Sequence, residues 1–127
     1  MKIRVKRVYE PAEKSDGIRI LVDRLWPRGI EKGRIDLWLK DIAPSNTLRK
    51  WYGHVPERWN EFRKRYLKEL ESNETGLREL VAAAKGKTLT LLYGARDTEH
   101  NQAEIILEFL KKTDSANHRQ QRTKASS

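Results

Sequence analysis

Residues 18–29 read IRILVDRLWPRG. From Ile18 to Leu25 only Arg19, Asp23 and Arg24 interrupt the apolar run, which suits a central strand covered on both faces. Trp26-Pro27-Arg28-Gly29 ends it, because Pro27 lacks a backbone donor and Gly29 permits a sharp bend. Residues 87–93, KTLTLLY, form another β run rich in Thr and Leu. Upstream, Lys2 to Val8 alternates, with Ile3 and Val5 facing one way and Arg4 and Lys6 the other, the pattern of a half-buried edge strand.

The stretch between these strands is helical in period. Leu37, Trp38 and Ile42 predict a short helix before Pro44, and Ser45 is placed as N-cap of a helix over 46–52 that stops at Gly53. Pro56 opens the longest helix, whose apolar stripe is Trp59, Phe62, Tyr66, Leu67 and Leu70. Leu77, Leu80, Val81 and Ala84 mark a second stripe, stopped by Gly86. After the 87–93 strand, Asp97 or Thr98 is expected to cap a helix carrying Ala103, Ile106, Leu107 and Leu110. This order predicts an α/β fold, a small and mainly parallel sheet of three or more strands flanked by helices, in one Rossmann-like domain over 1–112. Residues 113–127 are polar and are expected to be a mobile tail. Ile20, Leu21, Val22, Trp59, Phe62, Leu89, Leu91, Leu107 and Leu110 are the expected shared core.

About 60 residues part the second and third strands, enough for a helical crossover and hence a parallel pair. The turn residues Pro11, Ser15, Asp16 and Gly17 leave too little chain between the first two strands for such a crossover, so length alone predicts an antiparallel hairpin.

Composition narrows the function classes. The chain has 127 residues, 37% of them hydrophobic, with 27 Lys+Arg against 18 Asp+Glu and a formal charge of +9. The excess is uneven: residues 1–70 hold 18 basic and 10 acidic side chains, a net +8. An anionic partner would meet mainly that half. No apolar stretch approaches the roughly 20 residues of a membrane span, and no signal-peptide core follows Met1, so a cytoplasmic setting is expected. With no cysteine, disulfides, thiolate metal sites and Cys nucleophiles are excluded. His54, His100 and His118 lack metal-motif spacing, and no Walker loop, GxGxxG or nucleophile elbow occurs, so neither metal nor cofactor is expected.

Polar residues concentrate where strands end, which is where open α/β sheets bind ligands. The second strand delivers Asp23, Arg24 and Arg28; the third delivers Tyr93, Gly94, Arg96 and Asp97, followed by His100 and Asn101. Arg24, Arg28 and Arg96 are the expected clamp for a phosphate- or nucleotide-like anion, with Tyr93, Arg49 and Asn101 as further ligand contacts. Asp23 is expected to pair with an arginine and stay ionised. If the protein is an enzyme, His54 or His100 is its proton carrier and Asp23 or Asp97 the partner. One cleft is expected to hold Arg24 or Arg28 together with Arg96, Asp97 or His100. The alternative is a nucleic-acid-binding module. Basic and aromatic residues interleave in Leu48-Arg49-Lys50-Trp51-Tyr52-Gly53-His54, and that reading needs an exposed basic face across Arg4, Lys6, Arg49, Lys50, Arg63 and Lys64.

At these residues a family comes into view. Lys6-Arg7-Val8-Tyr9, the block from Val22 to Gly29, Ala43-Pro44-Ser45, the block from Leu48 to His54 and the block from Thr90 to Asp97 with His100-Asn101-Gln102-Ala103 resemble the YeaO-like family of uncharacterised small prokaryotic proteins. The resemblance runs from about residue 2 to residue 110 and names no activity. Similar but longer relatives carry a Cys-His-Arg block where this chain has Asp97, His100 and Asn101, so thiol chemistry does not carry over. Those relatives have a helix between their first two strands, which implies a parallel pair here, against the length argument.

Overall fold

The computed structural model describes residues 2–113; the expected tail lies outside them except for Thr113. Four strands, β1 (Ile3–Arg7), β2 (Ile18–Leu21), β3 (Leu37–Trp38) and β4 (Leu89–Tyr93), form one sheet in the order β1-β4-β2-β3. Every pairing is parallel, with Val5 opposite Leu91 and Ile20 opposite both Leu91 and Leu37. The fold is therefore a small α/β domain with a parallel sheet. β1 is an edge strand, as its alternation predicts.

The hairpin expected on length does not form. β4 inserts between β1 and β2, so the two run parallel without pairing, and a 3-10 turn at Lys14–Asp16 is all the helix their connection holds. A short link suffices because Asp16 clamps it to three strands. This carboxylate is fully buried and accepts from Lys6 Nζ of β1 at 3.1 Å and from Arg19 of β2, while Thr90 Oγ1 of β4 donates to the Asp16 carbonyl at 2.6 Å. Gly17 follows at φ 66°, and a Cβ there would lie 2.1 Å from the Thr88 carbonyl oxygen. Only glycine fits that turn.

Helices α1 (Asn46–Tyr52), α2 (Trp59–Ser72), α3 (Glu74–Ala84) and α4 (from 102 to the last described residue, 113) gather on one face of the sheet. Ser45 caps α1 by accepting from the Leu48 N–H, and Gly53 closes it in the left-handed conformation, both as the sequence predicts. The main core joins Ile20, Val22, Leu89 and Leu91 to Phe62, Tyr66, Leu80, Ile106 and Leu110, with Trp59 packed at its margin. The other face is covered by connecting chain rather than by helix: Val8, Ile30, Trp26 and Ile35 close over Leu21 and Leu92.

Four expectations need correction. Leu37 and Trp38 pair with β2 as a strand, and only Lys40–Ile42 turns helically, as a 3-10 turn. The cap of α4 is Asn101, whose Oδ1 accepts from the Glu104 N–H at 3.1 Å; Asp97 and Thr98 stand in the preceding loop. Leu21 belongs to the second cluster, since its neighbours Ile20 and Val22 point to the first. Leu107 is only half-buried, and Ile105 and Ile106 fill the core in its place.

Candidate functional site

Parallel strands release their following residues at one edge of the sheet, and a cleft of about 220 Å³ opens there. Asp23 and Arg24 reach it from beyond β2, Ala95 from beyond β4, and His100, Asn101 and Gln102 from the start of α4. Ala43, Pro44 and Arg49 close one side, and Tyr52, Trp59 and Phe62 form an aromatic wall. Tyr52 stacks on Phe62 at 4.4 Å between ring centres, and Trp59 meets the His100 ring edge-on at 4.9 Å. His54 completes the lining in the left-handed conformation, φ 58°, directly after Gly53.

Asp23 joins the three elements at the cleft floor. Its Oδ2 accepts from the Gly94 N–H at 2.8 Å, and its Oδ1 accepts from Gln102 Nε2. A Cβ at position 94 would sit 2.9 Å from the carboxylate, so a larger residue there would displace Asp23. The expected arginine partner is absent: among the described residues Asp23 forms no ion pair. Burial pushes its carboxyl up to about 6, although the bonds from Gly94 and Gln102 pull the other way.

The expected guanidinium clamp is partly rearranged. Arg24 lines the cleft, held by bonds from Nε and Nη2 to the carbonyls of Pro44 and Ala43, both at 3.3 Å. Arg49 is the second cationic wall residue, its Nη2 donating to Asn46 Oδ1 at 3.4 Å. Arg28 and Arg96 are exposed and lie outside the lining, because the turn at Pro27 carries Arg28 away and its carbonyl accepts from the Tyr9 hydroxyl at 3.0 Å. Neither Arg24 nor Arg49 has a carboxylate partner among the described residues. The arginines that do, Arg4, Arg19, Arg63 and Arg65, lie away from the cleft.

Asp97 stands behind the lining and acts through its neighbour. Its Oδ1 accepts from the N–H groups of His100 and Glu99, both at 2.9 Å, and its Oδ2 lies 3.1 Å from His100 Nδ1. Those backbone bonds hold the Asp97 carboxyl below its ordinary range. Asn101 is buried, with both side-chain functions spent on the chain, donating to the Asp97 carbonyl and capping α4. Tyr93 is buried in the main core and does not reach the cleft.

Most of the aromatic wall carries no site signal in the sequence. Trp59 and Phe62 sit on a stripe that reads as core, and helical period alone does not reveal that one end of the stripe borders a cleft. Tyr52 did carry a signal, since it lies within the basic-aromatic block 48–54.

Comparison with known proteins places the chain among relatives of similar length. A family model described as the inactive DUF488-N3 subclade matches residues 2–127. Uncharacterized protein YeaO of Escherichia coli (strain K12) is 49% identical over 114 residues, covering 87% of this chain and 98% of that protein. Uncharacterized protein Mb3100c of Mycobacterium bovis and uncharacterized protein Rv3073c of Mycobacterium tuberculosis are each 41% identical over 111 residues, 86% of this chain and 93% of theirs. No solved structure matches.

Proposed function

The chain belongs to the YeaO-like family, the inactive DUF488-N3 subclade, and from that premise we propose that it binds a small phosphate- or nucleotide-like anion at the ends of its strands. One observation carries the reading: Arg24 and Arg49 line a cleft beside an aromatic wall, and neither forms an ion pair among the described residues. Guanidinium groups with spare donors recognise phosphate and carboxylate oxygens in pairs. The N-terminal end of α4 borders the same cleft through Asn101 and Gln102, adding the positive pole of a helix of at least twelve residues. The description "inactive" supports binding over turnover, with the Asp97–His100 contact orienting the cleft wall.

A nucleic-acid module is less well supported. Lys6 is buried against Asp16, Arg4 lies 3.6 Å from the same carboxylate, and Arg63 pairs with Glu108. Of the six side chains that a flat basic face would need, half are thus paired with carboxylates, and Lys6 is buried.

Sulfate keeps its charge between pH 5 and 8 and probes the site without titrating. Ionised Asp23 repels an anion in the cleft, so affinity is expected to rise as pH falls through about 6 and Asp23 gains its proton. His54, His100, Arg24 and Arg49 face the same cleft. Asp23→Asn tests the carboxylate's part: the pH dependence of sulfate-induced thermal stabilisation should be smaller in that variant. An unchanged pH dependence in Asp23→Asn would remove Asp23 from the site. Arg49→Ala, at an exposed position, is expected to weaken sulfate binding with a change in stability of at most about 0.5 kcal/mol, while Arg28→Ala leaves binding unaltered.

A further inference from the structure

Resting on the anion-site reading, we infer that the ligand is a guanine-type mononucleotide, recognised by its paired N–H donors at Asp23 and by its phosphate at Arg24 and Arg49. A site meant only for an anion is poorly served by a carboxylate in its floor. Asp23 is nonetheless there, and no cation is paired with it among the described residues. Each of its oxygens accepts one bond from the protein, Oδ2 from Gly94 and Oδ1 from Gln102, which leaves an acceptor site on each. Two side-by-side acceptors match two side-by-side donors. A guanine ring presents N1–H and the 2-amino group in that arrangement. Adenine, cytosine and uracil each place at least one acceptor on the matching edge, which would face the carboxylate unpaired.

The rest of the cleft fits the same ligand. Trp59, half-buried on the cleft wall, offers flat apolar surface for a ring. Arg24 has its Nη1 donors uncommitted among the described residues, and Arg49 is exposed on the side of Ala43 and Pro44, whose carbonyls hold Arg24. A cleft of about 220 Å³ lies below the roughly 300–1,000 Å³ of sites that enclose a drug-sized ligand, so it holds one ring system with its phosphate toward the mouth.

The experiment is calorimetric titration of the full chain at pH 7.5 with GMP, IMP, AMP, CMP and UMP as separate probes. GMP is expected to bind at least about tenfold more tightly than AMP, CMP or UMP, because a donor pair lost from a charged, partly buried acceptor leaves that acceptor unsatisfied. IMP keeps N1–H but lacks the 2-amino group, so it should fall between them. Asp23→Asn, with folding checked by circular dichroism, should collapse the ratio of GMP to UMP affinity towards one. The IMP comparison uses the unaltered protein and holds even if that variant does not fold. Equal binding of all five nucleotides, or a GMP preference that survives in folded Asp23→Asn, overturns this inference and leaves the anion site standing. No binding of any of them overturns both.

Discussion

Asp16→Ala is expected to destabilise the protein by about 3–5 kcal/mol, because removing one partner of a buried ionic cluster strands the others. Lys6 and Arg19 are 8% and 6% exposed, and both direct their charge at this carboxylate. Lys6 would keep the Pro11 carbonyl at 2.9 Å and the exposed Glu13 carboxylate at 3.7 Å, whereas Arg19 would keep the Arg34 carbonyl at 2.8 Å, an oxygen without a neutralising charge. Urea unfolding of the variant measures the loss; a change below 1 kcal/mol would show that the cluster does not hold the β1–β2 link. The same carboxylate predicts sensitivity to acid. Burial alone would raise its pKa, yet hydrogen bonds from the Glu13 N–H, Lys6 and Arg19 outweigh it and hold the value below normal. A lowered folded-state pKa contributes stability that is present above the unfolded value and lost as pH falls through the folded one. The stability that Asp16 contributes should therefore be lost only below the usual carboxylate range, and the variant should lose that part of the pH dependence.

Leu91→Ala is the second large effect, expected at about 2–5 kcal/mol. Leu91 is fully buried on β4, the strand between β1 and β2, and it joins the main core beneath the helices. A methyl group there leaves a cavity that paired strands on both sides cannot collapse to fill. Leu107→Ala, at a half-buried position on α4, should cost distinctly less. If the two variants unfold at the same denaturant concentration, the division between core and margin is wrong.

Much of this fold is legible in local sequence. The mainly apolar runs 18–22 and 89–93 mark interior strands, and Ser45 and Gly53 bracket α1 with a capping hydroxyl and a left-handed stop. What is not legible depends on long-range pairing. Residues 8–17 look like a hairpin loop because no local signal says that β4, some 70 residues later, will insert between their flanking strands. The charges that make the link possible, Lys6, Asp16 and Arg19, look like ordinary surface polarity until they are folded against each other. Leu37-Trp38 is too short for any period to distinguish strand from helix, and its pairing with β2 decides it. The site follows the same division. Asp23, Arg24, His100 and Asn101 are found by the rule that parallel strands point their ends at one edge. Arg28 and Arg96 satisfy that rule in sequence but are turned outward by the loops that carry them.

The anion cleft is tested most directly by a nitrogen–proton correlation titration of the labelled full chain with GMP at pH 7.5. The account predicts saturable shifts at the amides of Gly94, His100 and Gln102, the side-chain signals of Arg24 and Arg49 and the Trp59 indole, with β1 and the outer face of α2 unmoved. Shifts centred on Arg4, Lys50 and Lys64, or none anywhere up to millimolar ligand, would contradict it.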